Sequence, residues 1–174
     1  MNKKGFTLIE LLAVIVIMGI LMLVAIPAVQ RYIENSKKDT FVNIAEEYIA
    51  ATKKLMLSGS YVCGEATSDN TYYIPIDSET DGIMESKVVS PFTKRKVVGW
   101  ILIKKTGDTV KYYILLSDDS KTGYMIKGNG GGNLYNFGIE SSSLSRDSVK
   151  YQTGSGGYPI NGSFGTFPAC ILTN

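Results

Sequence analysis

The chain has 174 residues, with 18 Lys+Arg, 16 Asp+Glu, two Cys and no His, for a formal net charge of +2. Without His, a Ser-His-Asp or Cys-His nucleophilic centre is excluded from this chain alone, and two Cys are too few for a Cys-rich zinc site. The 44% apolar and 20% charged fractions exclude a wholly disordered chain. The near balance of charge gives no reason to expect a nucleic-acid partner. No enzymatic role and no cofactor are expected.

The apolar residues are unevenly spread. After Met1-Asn2-Lys3-Lys4-Gly5, the segment Leu11–Val29 runs for nineteen residues without a charge or a polar side chain. Extended back to Phe6, it gives a helix of about 36 Å, enough to cross a bilayer core of about 30 Å. A secretory signal peptide fits poorly, because the run exceeds the usual apolar region of about 7–15 residues and no small-x-small cleavage site follows. A membrane anchor fits better but leaves Glu10 unexplained. A carboxylate at the centre of such a helix costs about 2.5–3.5 kcal/mol, and less nearer the end. The partners expected for it nearby are Lys3, Lys4 and the chain terminus.

The segment Lys4-Gly5-Phe6-Thr7-Leu8-Ile9-Glu10 resembles the N-terminal signature of type IV prepilins and the related pseudopilins. The resemblance implies cleavage between Gly5 and Phe6 by a prepilin peptidase and methylation of the new N-terminal Phe6 (an N-methylphenylalanine pilin). It also implies that Glu10 neutralises the N-terminal amine of a neighbouring subunit during assembly, and that Pro27 is the helix proline common in the family. Gly19 is a second weak point in the helix. Loss of Lys3 and Lys4 would leave 16 basic against 16 acidic side chains, so long-range self-repulsion would not oppose packing. The charges flanking the span, Lys3 and Lys4 before it and Arg31, Lys37 and Lys38 after it, leave orientation nearly undecided. The resemblance places the N-terminus inside.

From residue 30 the pattern changes. Phe41, Ile44, Ala45, Tyr48, Ala51, Thr52 and Leu55 recur at helical spacing, with Asn43, Glu46, Glu47, Lys53 and Lys54 opposite. A helix over Phe6–Leu57 is expected, with Ser58-Gly59 as its stop and a short irregular break between Asn35 and Asp39. Beyond it, VVGWILIK and TVKYYILL flank a Gly-containing gap and form a β-hairpin, and Tyr124–Ile126 extends it to a meander. Thr71–Ile76 reads as an edge strand because Pro75 cannot donate to a ladder. Eleven of the 18 Gly follow residue 122, so the C-terminal third is expected to be loop-rich. Residues 128–132 and 154–157 are the clearest loops. The fold expected is α+β, as the resemblance also implies: a long helix whose second half packs on an antiparallel sheet. Its parts are a leader (1–5), an apolar assembly helix (6–29), an amphipathic half (30–58) and a globular head (59–174) with the meander over about 96–127. Ordinary strand packing accounts for most of the eleven Tyr, ahead of a recognition surface.

Chemical motifs in the head are weak. Asp77-Ser78-Glu79-Thr80-Asp81-Gly82 resembles the start of a calcium loop, but Val88 stands where a bidentate Glu is needed, so Asp77, Glu79 and Asp81 read first as a solvated acidic loop. Lys94-Arg95-Lys96, with Lys104 and Lys105 nearby, reads as a solvated edge that could touch phosphates. Cys63 and Cys170 leave open a disulfide closing about 108 residues or two reduced thiols. Family members often pin the C-terminal segment with a disulfide, usually between two Cys both close to the C-terminus. Asn161-Gly162-Ser163 matches a glycosylation acceptor of little weight.

The function implied is a structural subunit, a major pilin, of a surface fibre serving adhesion, twitching motility or biofilm formation. Its partners would be further copies of itself, the prepilin peptidase, the assembly machinery of the membrane and minor pilins. It would reside in the cytoplasmic membrane before assembly and in the extracellular pilus after it. Composition suggests a low-GC Gram-positive source. The alternatives are a pseudopilin of a type II secretion or competence system and an uncut membrane-anchored binding module.

Overall fold

The computed structural model describes residues 5–64, 70–118, 123–128, 138–152 and 168–173. The expected leader residues 1–4, most of the loop at 128–132, the loop at 154–157, the Lys121-Thr122 turn and the Asn161 acceptor lie outside them. The chain divides into two compact units, Met1–Ser36 and Lys37–Asn174. One helix, α1 (Leu8–Leu57, 50 residues), supplies the regular structure of the first unit and opens the second.

In the first unit the helix starts at Leu8, two residues later than expected, and continues through Pro27. Gly19 faces open space. The apolar side chains of this segment are exposed, from Phe6 (90%) to Ile33 (47%). The helix is long and apolar enough to cross a membrane. The irregular break expected between Asn35 and Asp39 is absent, and all five residues are helical. Ser36, Lys37 and Lys38 lack apolar periodicity, but Lys is a good helix former and nothing there breaks the ladder.

In the second unit α1 buries Phe41, Val42, Ile44, Ala45, Tyr48, Ile49 and Thr52. The stripe is wider than the one expected, by Val42 and Ile49. The helix ends in a Schellman motif. Gly59 adopts a left-handed φ of 72°, its amide donates to the Met56 carbonyl (3.3 Å), and the Ser60 amide donates to the Leu55 carbonyl (3.1 Å).

The main sheet is antiparallel, with strand order β2-β3-β4-β5-β7 and β6 paired with β4. Its strands are β2 (Thr71–Asp77), β3 (Val97–Thr106), β4 (Thr109–Asp118), β5 (Gly123–Ile126), β6 (Ile139–Glu140) and β7 (Val149–Gln152). The hairpin β3–β4 turns at Gly107-Asp108, and Gly107 has φ 58°, as the first central position of a type II′ turn requires. Ile74, Ile76, Ile101, Ile103, Ile114, Leu116 and Ile126 join the helix residues in one core. Trp100, Leu102 and Leu115 are also fully buried but lie outside that cluster. Both faces of the hairpin are therefore covered, which explains why Val97–Ile103 is apolar without alternation. On the Trp100 side, Gly138 approaches so closely that a Cβ there would lie 2.9 Å from the indole ring.

A second, two-stranded sheet pairs β1 (Tyr61–Cys63) with β8 (Cys170–Leu172). Both strands, with β6 and β7, go beyond the sequence expectation. The edge expected at β2 is partly covered, because Tyr73 bridges Ala169 in parallel.

Candidate functional site

The polar group at the start of the apolar helix is the first candidate. Thr7 precedes the first helical residue and Glu10 occupies the third helical position. The Thr7 amide and the Thr7 Oγ1 hydroxyl both donate to Glu10 Oε2 at 2.8 Å, and the Glu10 amide lies 3.4 Å from Thr7 Oγ1. This is a capping box, Thr-x-x-Glu, in which two otherwise orphaned groups satisfy one another. It corrects the expectation that Glu10 finds partners only among Lys3, Lys4 and the chain terminus. The signal was in the sequence, because Thr7-Leu8-Ile9-Glu10 has the capping-box spacing. Beside it, Phe6, Glu10, Leu11, Val14 and Ile15 line an open groove of about 410 Å³. The N-terminus of this helix thus presents one carboxylate in an otherwise apolar surface, held in place by its own chain.

The second candidate lies at the end of the head. Cys63 and Cys170 form a disulfide between directly paired positions of β1 and β8. The ribbon is tied further by the Thr173 amide, which donates to the Ser60 carbonyl at 2.8 Å. Next to it is a cavity of about 480 Å³ whose walls include Tyr61, Pro75, Asp77, Asp81 and Leu172.

Asp77, Glu79 and Asp81 come together here, but not as metal ligands. Lys96 Nζ lies 2.9 Å from Asp77 Oδ2 and 3.8 Å from Glu79 Oε2. Asp81 turns to the backbone, accepting from the amides of Ile83 (2.9 Å) and Asp77 (3.1 Å). Among the described residues no group of three or more His, Cys, Asp or Glu could hold a metal ion. The turn uses these carboxylates to cap amides and to balance one ammonium.

The electrostatics follow from this packing. Burial pushes the Asp81 carboxyl above its ordinary range, against the pull of the two amides. Burial also raises Asp77, but the Lys96 ammonium and the Glu79 amide outweigh it and hold the group below the usual carboxylate value. Among the described residues the buried Tyr48 and Tyr61 hydroxyls have no hydrogen-bond partner. Burial, reinforced by the negative charge of Asp81, pushes Tyr61 up to about 12 and Tyr48 further. The Tyr48 hydroxyl feels the Asp81 carboxylate but lies outside good hydrogen-bond geometry with it.

Lys94, Arg95 and Lys96 sit on a loop entering β3, whereas Lys104 and Lys105 lie near the other end of that ten-residue strand. The two basic groups are therefore separate, contrary to the expected cluster. Of the aromatic residues, Phe92 and Tyr124 stack at 3.7 Å and Phe41 meets Phe92 edge-on at 5.9 Å. These rings are packing, as expected, and Tyr151 continues the contact to an exposed position.

Comparison with known proteins bears on the helix N-terminus first. Residues 1–26 match the family model described as the prokaryotic N-terminal methylation motif. The chain is similar to a fimbrial protein of Neisseria meningitidis serogroup B, 30% identical over 122 residues, covering 64% of this chain and 72% of that one. It is similar to a fimbrial protein of Pseudomonas aeruginosa, 37% identical over 71 residues, covering 41% of this chain and 46% of the relative. It is also similar to a type IV major pilin protein of Neisseria gonorrhoeae, 36% identical over 86 residues, covering 49% and 48% of the two chains. The chain thus spans about half the length of the Pseudomonas and gonococcal relatives. No solved structure matches it. With its apolar helix, capped Glu10 and antiparallel head, the chain belongs to the type IV pilin family of fimbrial proteins.

Proposed function

We propose that the chain is the structural subunit, a major pilin, of a type IV pilus. The observation that carries this reading is the apolar first part of α1, exposed along its length, with a single carboxylate, Glu10, at its start. A lipid bilayer accommodates such a surface before assembly. A bundle of neighbouring helices accommodates it afterwards, close helix packing taking the place of lipid contacts.

The prepilin peptidase cuts between Gly5 and Phe6 and Phe6 becomes N-methylated. Phe6–Val29 then moves from lipid into the fibre centre, and Glu10 exchanges its Thr7 partners for the amine of a neighbour's Phe6. That exchange gives the carboxylate an opposite charge inside an apolar assembly, where an unpaired charge is costly. Assembly machinery in the membrane and minor pilins are the other partners. The head faces outward, where adhesion, surface motility and biofilm contacts are made. The pseudopilin alternative shares the N-terminus; the relatives called fimbrial or pilin proteins favour the fibre.

Intact-mass measurement of material sheared from the source cells tests the reading. The expected species begins at N-methylated Phe6. Retention of the protein in the membrane and its absence from the sheared fraction would refute the pilus assignment. Glu10→Ala is expected to lower fibre yield at least tenfold while leaving cleavage after Gly5 intact; undiminished yield would remove the pairing argument.

A further inference from the structure

The loop between residues 89 and 96 is built more rigidly than its exposure requires. Val89 bridges Lys96, and the Ser90 amide donates to the Arg95 carbonyl at 2.8 Å. Ser90 is itself fully buried. Its hydroxyl accepts from the amides of Phe92 (3.2 Å) and Thr93 (3.5 Å). Phe92 pins the loop into the core through its stack on Tyr124.

On this frame Lys94 adopts a left-handed φ of 61°. Gly or Asn would take that conformation with less strain, so a Lys there calls for a reason other than folding. Lys94, Arg95, Lys96 and Lys87 border a cavity of about 280 Å³, with Glu79 also on its wall and Val89 among its apolar surfaces. Lys96 is engaged by Asp77 and Glu79. Among the described residues Lys87, Lys94 and Arg95 make no ion pair. With Lys96 balanced by Asp77 and Glu79, three further cations, Lys87, Lys94 and Arg95, border the concave site. Their loop is already ordered, so little of the entropy of ordering would be lost on binding.

We infer that this cavity binds a tetrahedral oxyanion of the phosphate class, either free phosphate or a phosphate carried on a phosphodiester polymer. Arg95 supplies planar, two-pronged donors to two oxygens, and Lys87 and Lys94 supply point charges. Among the described residues no aromatic ring lines the cavity, so recognition is of the phosphate and not of any attached base.

The test uses the full chain in a neutral detergent. Inorganic phosphate is titrated by calorimetry, and a labelled 20-base-pair DNA duplex by fluorescence anisotropy. Saturable binding of phosphate without the duplex identifies the free anion as the source. Binding of the duplex identifies the phosphodiester. Binding of neither overturns the inference.

Lys94→Gly and Arg95→Gln are each expected to weaken binding about tenfold. For the duplex, each should reduce the salt dependence by about one unit of slope. Lys94→Gly should also raise the melting temperature, because it relieves the left-handed backbone, so lost binding would not reflect a damaged fold. The Lys104→Ala, Lys105→Ala double variant removes two charges at the far end of β3 and should bind as the parent does. Equal weakening in that control, or unchanged binding in both Lys94→Gly and Arg95→Gln, would overturn the site.

Discussion

Removing the disulfide is expected to cost the head much of its stability, by an amount that the topology sets. Cys63 and Cys170 are 107 positions apart, and the whole six-stranded sheet lies between them. Cross-linking a loop of about 100 residues lowers the entropy of the unfolded chain enough to stabilise the fold by about 4.7 kcal/mol in the chain-entropy treatment. The Cys63→Ser, Cys170→Ser double variant keeps the backbone bonds of the ribbon, including Thr173 to Ser60 and Gly64 to Ala169, so little native-state loss adds to that figure. At a urea slope of about 2 kcal/mol/M the midpoint should fall by about 2 M with the slope little changed. The single Trp100, 1% exposed in the core, reports the transition by fluorescence. The compact unit beginning at Lys37 provides the sample without the apolar helix. A shift below about 0.5 M at unchanged slope would show that the cross-link does not act by restricting the unfolded chain.

Three further outcomes are expected. Thr7→Val removes the hydroxyl of the capping box, worth about 1 kcal/mol; amide exchange at Glu10 should quicken about fivefold, Thr7→Ser should restore it, and unchanged exchange would mean the cap is idle. Gly99→Ala would place a Cβ 2.0 Å from the Leu115 carbonyl oxygen, so β3 and β4 must separate; a loss of at least about 3 kcal/mol is expected in urea unfolding, and a loss under 1 kcal/mol would show that the pair is pliable. Asp77 has a folded-state pKa below its unfolded value, so its contribution is complete above the ordinary carboxylate pKa of about 3.9 and is lost as pH falls through the lower folded value; Asp77→Asn should flatten the fall of melting temperature below about pH 4, and an unaltered acid limb would count against the Lys96 pairing.

What the sequence revealed of this molecule divides by distance along the chain. The amphipathic half of α1 and the hairpin at Val97–Asp118 follow from local period and β-branched content. Val42 and Ile49 escaped because the apolar face is wider than a narrow three-and-four spacing suggests. The strands β1 and β8 were not legible: three residues each, they exist because Tyr61–Cys63 meets Cys170–Leu172 across the whole head. The calcium-like spacing of Asp77, Glu79 and Asp81 counts ligand positions and carries no sign of Lys96, which pairs with Asp77 from nineteen residues further on. At the N-terminus Glu10 is at once a charge in an apolar segment and the acceptor of a helix cap. The Thr7-x-x-Glu10 spacing was there to be read as a helix cap.

The clamp of β1 on β8 also has an evolutionary meaning. The chain leaves the helix at Ser60 and returns to the same residue at Thr173, whose amide and hydroxyl both donate to the Ser60 carbonyl. The residues between Gly64 and Pro168 form an excursion that departs from and comes back to one anchor. Substitution or lengthening in that excursion, away from the strand residues that share a core with α1, leaves the exit of the helix where it is. A lineage under pressure to vary its exposed surface can therefore remodel solvent-facing parts of the head while the apolar start of α1 stays unchanged.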